Sequence, residues 1–95
     1  MGDEHEKFGV SMEKELSKWK DHIKDAESEA RKKGPDFFER YLGDLQKMLD
    51  KYETAKLKLT LFRKGSGDAL LDLKKGVENA FAELKTAVLK AKNKF

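Results

Sequence analysis

The chain has 95 residues, with 21 Lys and Arg against 18 Asp and Glu, a net charge of +3 and no cysteine. That length admits one domain. The missing cysteines exclude disulfide staples, thiolate metal sites and a thiol nucleophile. Val and Ile together number only four, while Lys, Glu, Leu and Ala dominate, a balance that favours helices over sheet. High charge by itself would also suit a disordered chain. Here, however, six Phe, two Tyr and one Trp recur with the leucines at regular spacing, which disordered chains lack.

The first predicted helix runs from about residue 6 to 33. Leu16, Ile23 and Ala30 repeat every seven residues, with Met12, Trp19 and Ala26 between them. These alternating steps of three and four are those of packed helices. The stripe thins to alanine at its end, where a neighbour can approach closely. Asp3 with Glu6, or Ser11 alone, is the expected N-terminal cap. Gly34-Pro35 then reads as a break: a glycine suited to a left-handed C-terminal position, followed by a proline that opens the next helix. The rival reading is one long helix kinked at the proline.

The second predicted helix covers 35 to 64. Phe38, Leu45, Tyr52 and Leu59 form one row, and Tyr41, Met48, Ala55 and Phe62 a second. Leu42 and Leu49 add a third, so this stripe is wider than the first helix's and this helix is expected to be the most buried. Lys56 to Leu61 alternates with period two, as a strand would, but no other segment offers it a pairing partner, and helix is the better reading. Gly65-Ser66-Gly67-Asp68 forms the second break, with Ser66 as the expected cap of the third helix.

That helix, about 67 to 94, has rows Leu70, Val77, Leu84, Ala91 and Leu73, Ala80, Ala87, widened by Phe81 and Val88. The predicted fold is all-α: a single-domain antiparallel three-helix bundle, coiled-coil-like in its spacing. Its alternative is an oligomer of a long kinked helix plus a C-terminal one. A core this slender is marginal alone, which makes self-association an expectation.

Gly65-Ser66-Gly67-Asp68-Ala69, then Asp72-Leu73-Lys74, Gly76, Glu78, Phe81 and a final Phe95 resemble the C-terminal signature of small uncharacterised bacterial coiled-coil proteins. Those have an aromatic where this chain has Leu70. The resemblance covers residues 65–95 and implies helices and bacterial origin; it brings no activity, cofactor or site residue.

No constellation here demands a particular chemistry. His22 lies between Asp21 and Asp25 with Glu29 beyond, but a di-metal bundle needs matching Glu-x-x-His pairs from other helices, and the second and third contain no histidine. His22 therefore reads as a solvated side chain, and His5 as part of a frayed terminus. No Ser or Thr has a base and an orienting acid beside it, and Gly65-Ser66-Gly67 lacks the spacing of a phosphate loop. Trp19 reads as core. Residues 85–94 hold four lysines and no acid, with no interleaved aromatics for single-stranded nucleic acid.

The suggestive residues are apolar ones off the stripes: Leu57 and Leu61, one turn apart on the second helix, and Leu71 and Leu89 on the third. These four are the candidate interface. Antiparallel packing should bring Leu61 and Leu71 to the same loop. The expectation is a non-enzymatic interaction or scaffolding protein with no metal and no cofactor. It would form a homo-oligomer or bind a helical protein partner, without specific nucleic acid. Adsorption to a membrane surface through amphipathic helices is the alternative. The charged N-terminus has no apolar core and no apolar run would span a bilayer, so a cytoplasmic location is expected.

Overall fold

The computed structural model describes residues 2–95, with side chains from residue 4 onward. It is all-helical: α1 is Gly2–Lys32, α2 is Pro35–Lys64 and α3 is Ala69–Lys92. The three pack as a bundle 51 Å long and 17 Å across in both other directions. Successive helices are antiparallel. Glu13 of α1 meets Arg63 of α2 at one end while Arg31 lies over Phe38 at the other, and Lys51 and Asp44 of α2 reach Glu83 and Lys94 of α3. α2 is the central helix, packed on both neighbours, and the α1–α3 contact is the smallest of the three.

α1 begins earlier than its capping residues imply. Ser11 lies deep inside the helix and caps nothing; the side chain of Asp3 lies outside the described residues. The extra turns are explained by the seven-residue register. His5 continues the row of Met12, Trp19 and Ala26, and Gly9 continues that of Leu16, Ile23 and Ala30. Gly9 is buried, with Arg63 lying across it so closely that a Cβ there would stand 3.0 Å from the guanidinium Nε.

Both glycine breaks are turns. Gly34 has φ +103°, a conformation that side-chain-bearing residues rarely adopt. Its N–H donates to the Arg31 carbonyl and its own carbonyl accepts from Phe38, so one residue closes α1 and opens α2. Pro35 takes the first position of α2, where a missing N–H costs nothing, and Asp36 follows in the first turn. The chain turns here and is not a kinked rod.

The second break differs from its sequence reading. Ser66 does not cap α3; the helix starts at Ala69, and the preceding Asp68 makes no side-chain capping bond. Gly65 ends α2 as its C-terminal cap, its N–H donating to the Phe62 carbonyl, and Gly67 has the left-handed backbone, at φ +71°. Gly65 is extended, and a Cβ on it would crowd Leu73 Cδ1 and stand 3.3 Å from the Leu61 carbonyl oxygen.

The core follows the predicted rows. Ala26 and Ala30 of α1, Tyr41, Met48 and Ala55 of α2, and Val77, Leu84 and Val88 of α3 are almost wholly buried. Truncating one of the larger of these costs about 2–5 kcal/mol. The third row of α2 is the correction. Leu42 and Leu49 are 46% and 41% exposed. The bundle leans towards the opposite flank of α2, where Phe37, Asp44 and Lys51 are half-covered by the chain's C-terminal end and by α3. α2 is central, but its buried stripe is no wider than that of α3.

The two ends are closed by aromatic residues. At the open end of α1, Phe8 meets Phe62 edge-on at 4.9 Å and His5 tilts over the same ring at 4.5 Å. At the other end Phe95, past the end of α3, folds back onto Tyr41 at 5.1 Å and Phe37 at 5.8 Å. Ring pairs of this kind add about 0.5–1.5 kcal/mol each beyond their burial.

Candidate interaction surface

A helix advances about 100° per residue, so residues on α2 separate cleanly into faces. Tyr41, Leu45, Met48, Ala55, Leu59 and Phe62 define the inward face. Leu57 and Leu61 lie about opposite to it and are 58% and 45% exposed. They belong to a four-residue ridge that starts at Leu49 and is interrupted only by Glu53. Three leucines on one ridge, with Leu42 one heptad before Leu49, make an apolar strip along the outside of the central helix. The strip was half legible in sequence. Leu57 and Leu61 stand out as off-stripe residues, whereas Leu42 and Leu49 pass as core because seven-residue spacing does not say which flank of a stripe the neighbours will cover.

Leu71 and Leu89 on α3 are 63% and 49% exposed. They are eighteen residues apart, five whole turns, and so share one line of the helix with Lys75, Glu78 and Lys85 near it. Leu71 lines a cleft of about 460 Å³ at the loop end of the bundle with His5, Phe8, Phe62, Leu70 and Lys74, and Leu61 is not part of it. Leu61, in the last turn of α2, and Leu71, in the first turn of α3, flank the same loop, as expected, but only Leu71 lines the cleft. The cleft beside Leu71 includes none of the strip's leucines.

Charge on the outside of α2 is unevenly divided. Residues 35–54 carry five acids and three bases, and residues 55–64 four bases and no acid. Several of these charges are already committed to the bundle. Lys51 pairs with Glu83 at 3.2 Å, Asp44 with Lys94, and Arg63 with Glu13 at 2.6 Å. Among the described residues Glu53, Lys56, Lys58 and Lys64 form no ion pair. Asp50 accepts a hydrogen bond from the amide of Gln46, one turn away on the same helix. The strip thus has acids beside its beginning and lysines beside its end.

Both histidines have roles the sequence did not suggest. His5 is not frayed: its Nε2 lies 2.7 Å from the Phe62 carbonyl oxygen, one of the terminal acceptors of α2. Donated there, the ring N–H is a second hydrogen bond to a helix-end carbonyl that already accepts from the Gly65 N–H. His22 is not simply solvated either. It is half-buried against Trp19, and its Nδ1 lies 2.8 Å from Lys92 Nζ, which makes it the acceptor in a tie between α1 and α3. With Lys94 on Asp44, two of the four C-terminal lysines are engaged within the bundle. Among the described residues no three His, Cys, Asp or Glu side chains gather in a way that could hold a metal ion. Among the described residues no helix is long and apolar enough to cross a membrane.

One buried polar atom stands out. Tyr41 is 1% exposed and its hydroxyl has no hydrogen-bond partner among the described residues. Burial pushes the phenol above its ordinary pKa, and the nearby Asp44 carboxylate pushes it the same way. Such a group is poorly placed to act as an acid or a nucleophile near neutrality, because its charged form is disfavoured twice.

No family model, curated protein or solved structure matches this chain.

Proposed function

We propose that this protein is a non-enzymatic helical interaction module that associates with itself or with a helical partner through the outward leucines of α2. One observation carries the reading. The most regular apolar feature outside the core is the ridge of Leu49, Leu57 and Leu61, on the helix that already packs against both others. An apolar strip of this length on a small bundle loses water on meeting another helix, at about 25 cal/mol per Å² covered. Helices meet such strips ridge into groove.

The test pairs the wild-type chain with Leu57→Glu/Leu61→Glu. Both leucines are exposed, so the variant should keep the helical circular dichroism and melting temperature of the wild type. In sedimentation velocity over a rising concentration series the wild type should shift above the monomer while the variant does not. As bait in a host lysate, the wild type should retain a protein that the variant loses. Indifference to the two glutamates in both assays would refute the reading. Flotation with anionic vesicles reads the rival outcome, since Lys56, Lys58 and Lys64 beside the same leucines also suit an anionic lipid surface. Co-flotation of the wild type without any self-association or protein capture would favour that rival.

A further inference from the structure

We propose that the occupant of the leucine ridge is a second copy of this chain, with the two α2 helices packed antiparallel about a twofold axis level with Ala55. This rests on reading that ridge as an interaction surface, and it adds which partner and which orientation.

The orientation follows from charge. The first part of α2, residues 35–54, has two more acids than bases, and the last ten residues carry four bases alone. Parallel pairing would set the basic ends side by side. Antiparallel pairing sets each basic end against the acidic portion of the other helix, and it also opposes the two helix dipoles favourably. Among the described residues of α2 without ion pairs, the ions that matter are those beside the ridge: Glu53, Lys56, Lys58 and Lys64, with Asp50 held only by Gln46.

The register follows from the ridge. Turned end for end about the level of Ala55, the ridge falls on itself: Leu49 comes level with Leu61 of the second copy, and Glu53 with Leu57. Asp50 and Glu53 of one copy then lie among Lys56, Lys58 and Lys64 of the other. The same surface serves both partners, so the contact is closed and stops at two chains. The line through Leu71 and Leu89 offers no equivalent, because its two leucines are five turns apart with Lys75, Glu78 and Lys85 near the line between them.

From Leu49 to Leu61 the ridge is about 18 Å long. A contact of that length lies at the small end of specific interfaces, which bury about 800 Å² per partner. The dimer therefore dissociates on dilution, and more readily as added salt screens its exposed charges.

Because the chain has no cysteine, single cysteines map the contact directly. Gln46 and Lys64 are exposed, lie on the outer face of α2, and come level with each other across the proposed axis. On mild oxidation at concentrations where the wild type dimerises, a mixture of Gln46→Cys and Lys64→Cys should give the mixed disulfide, and neither alone should cross-link. Within one helix the two positions are about 27 Å apart, too far for either to meet its own copy in this arrangement. Lys56→Glu/Lys58→Glu should raise the dissociation constant at least tenfold, and rising sodium chloride should raise that of the wild type. Each variant cross-linking with itself would show a parallel pair and overturn the proposal. So would a dimer indifferent to salt and charge reversal, and both results leave the wider reading of the ridge standing. A chain that stays monomeric throughout, yet captures a lysate protein through Leu57 and Leu61, would remove the second copy and keep the interaction surface. Failure in both assays removes both.

Discussion

Tyr41 offers the sharpest test of the packing. Its ring clusters with those of Phe37 and Phe95, while its hydroxyl is buried without a partner among the described residues. A buried hydroxyl left unpaired costs about 1–3 kcal/mol. Tyr41→Phe keeps the ring and removes the cost, so the variant should be more stable than the wild type by about 1 kcal/mol, a rise of about 5 °C in melting temperature for a domain this size. Urea unfolding followed by circular dichroism at neutral pH measures it. The pH dependence adds a second arm. The folded-state pKa is raised above its ordinary value, first by burial and then by Asp44. The neutral phenol is thus the form the fold accepts. Its contribution is complete below the unfolded-state pKa, about 10, and is lost as pH rises through the folded value. Wild-type stability should therefore fall more steeply than that of Tyr41→Phe above about pH 10. A variant less stable than the wild type by 1 kcal/mol or more, by about the worth of one hydrogen bond, would show that the hydroxyl has a partner. Superimposable alkaline limbs would show that the ring is not buried as described.

The two glycine turns give the remaining predictions. Gly65→Ala drives a methyl into Leu73 and close to the Leu61 carbonyl, which should cost about 1–3 kcal/mol. Gly67→Ala meets no atom within 4 Å but must hold φ +71°, for about 1–2 kcal/mol; thermal melts of the two should separate the steric cost from the backbone cost, and a neutral Gly65→Ala would contradict the close approach of Leu73. Replacing Gly34-Pro35 by two alanines removes the positive-φ residue and restores helical continuity, so α1 and α2 should tend to fuse. Small-angle scattering should then show an extended particle, in place of the radius of gyration of 15.4 Å calculated over Cα atoms, with swapped dimers at higher concentration. An unchanged compact particle would mean that packing alone turns the chain.

Most of the architecture was legible because three independent signals agreed at each point. The rows Leu16-Ile23-Ala30, Leu45-Tyr52-Leu59 and Val77-Leu84-Ala91 have helical spacing, their residues favour helix, and Gly34-Pro35 and Gly65 to Gly67 punctuate them. The candidate surface was less legible. Leu57 and Leu61 were identifiable because they fall opposite a stripe. Leu42 and Leu49 were misplaced because they fall beside one, and whether a flanking position is covered depends on where the neighbouring helix lies. The histidines failed for a related reason: the partners of His5 and His22, the Phe62 carbonyl and Lys92, are 57 and 70 residues away.

By itself, then, the order of residues determined three helices, their approximate ends and which face of each turns inward, since helix spacing, intrinsic propensity and turn chemistry all act within a few residues. Only the assembled bundle decided the tilt that exposes one flank of α2, the close approach of Leu73 to Gly65, and the ties of His5 and His22. Each of these depends on how close two distant backbones come, and that distance is set by the packing of whole helices rather than by any local run of sequence.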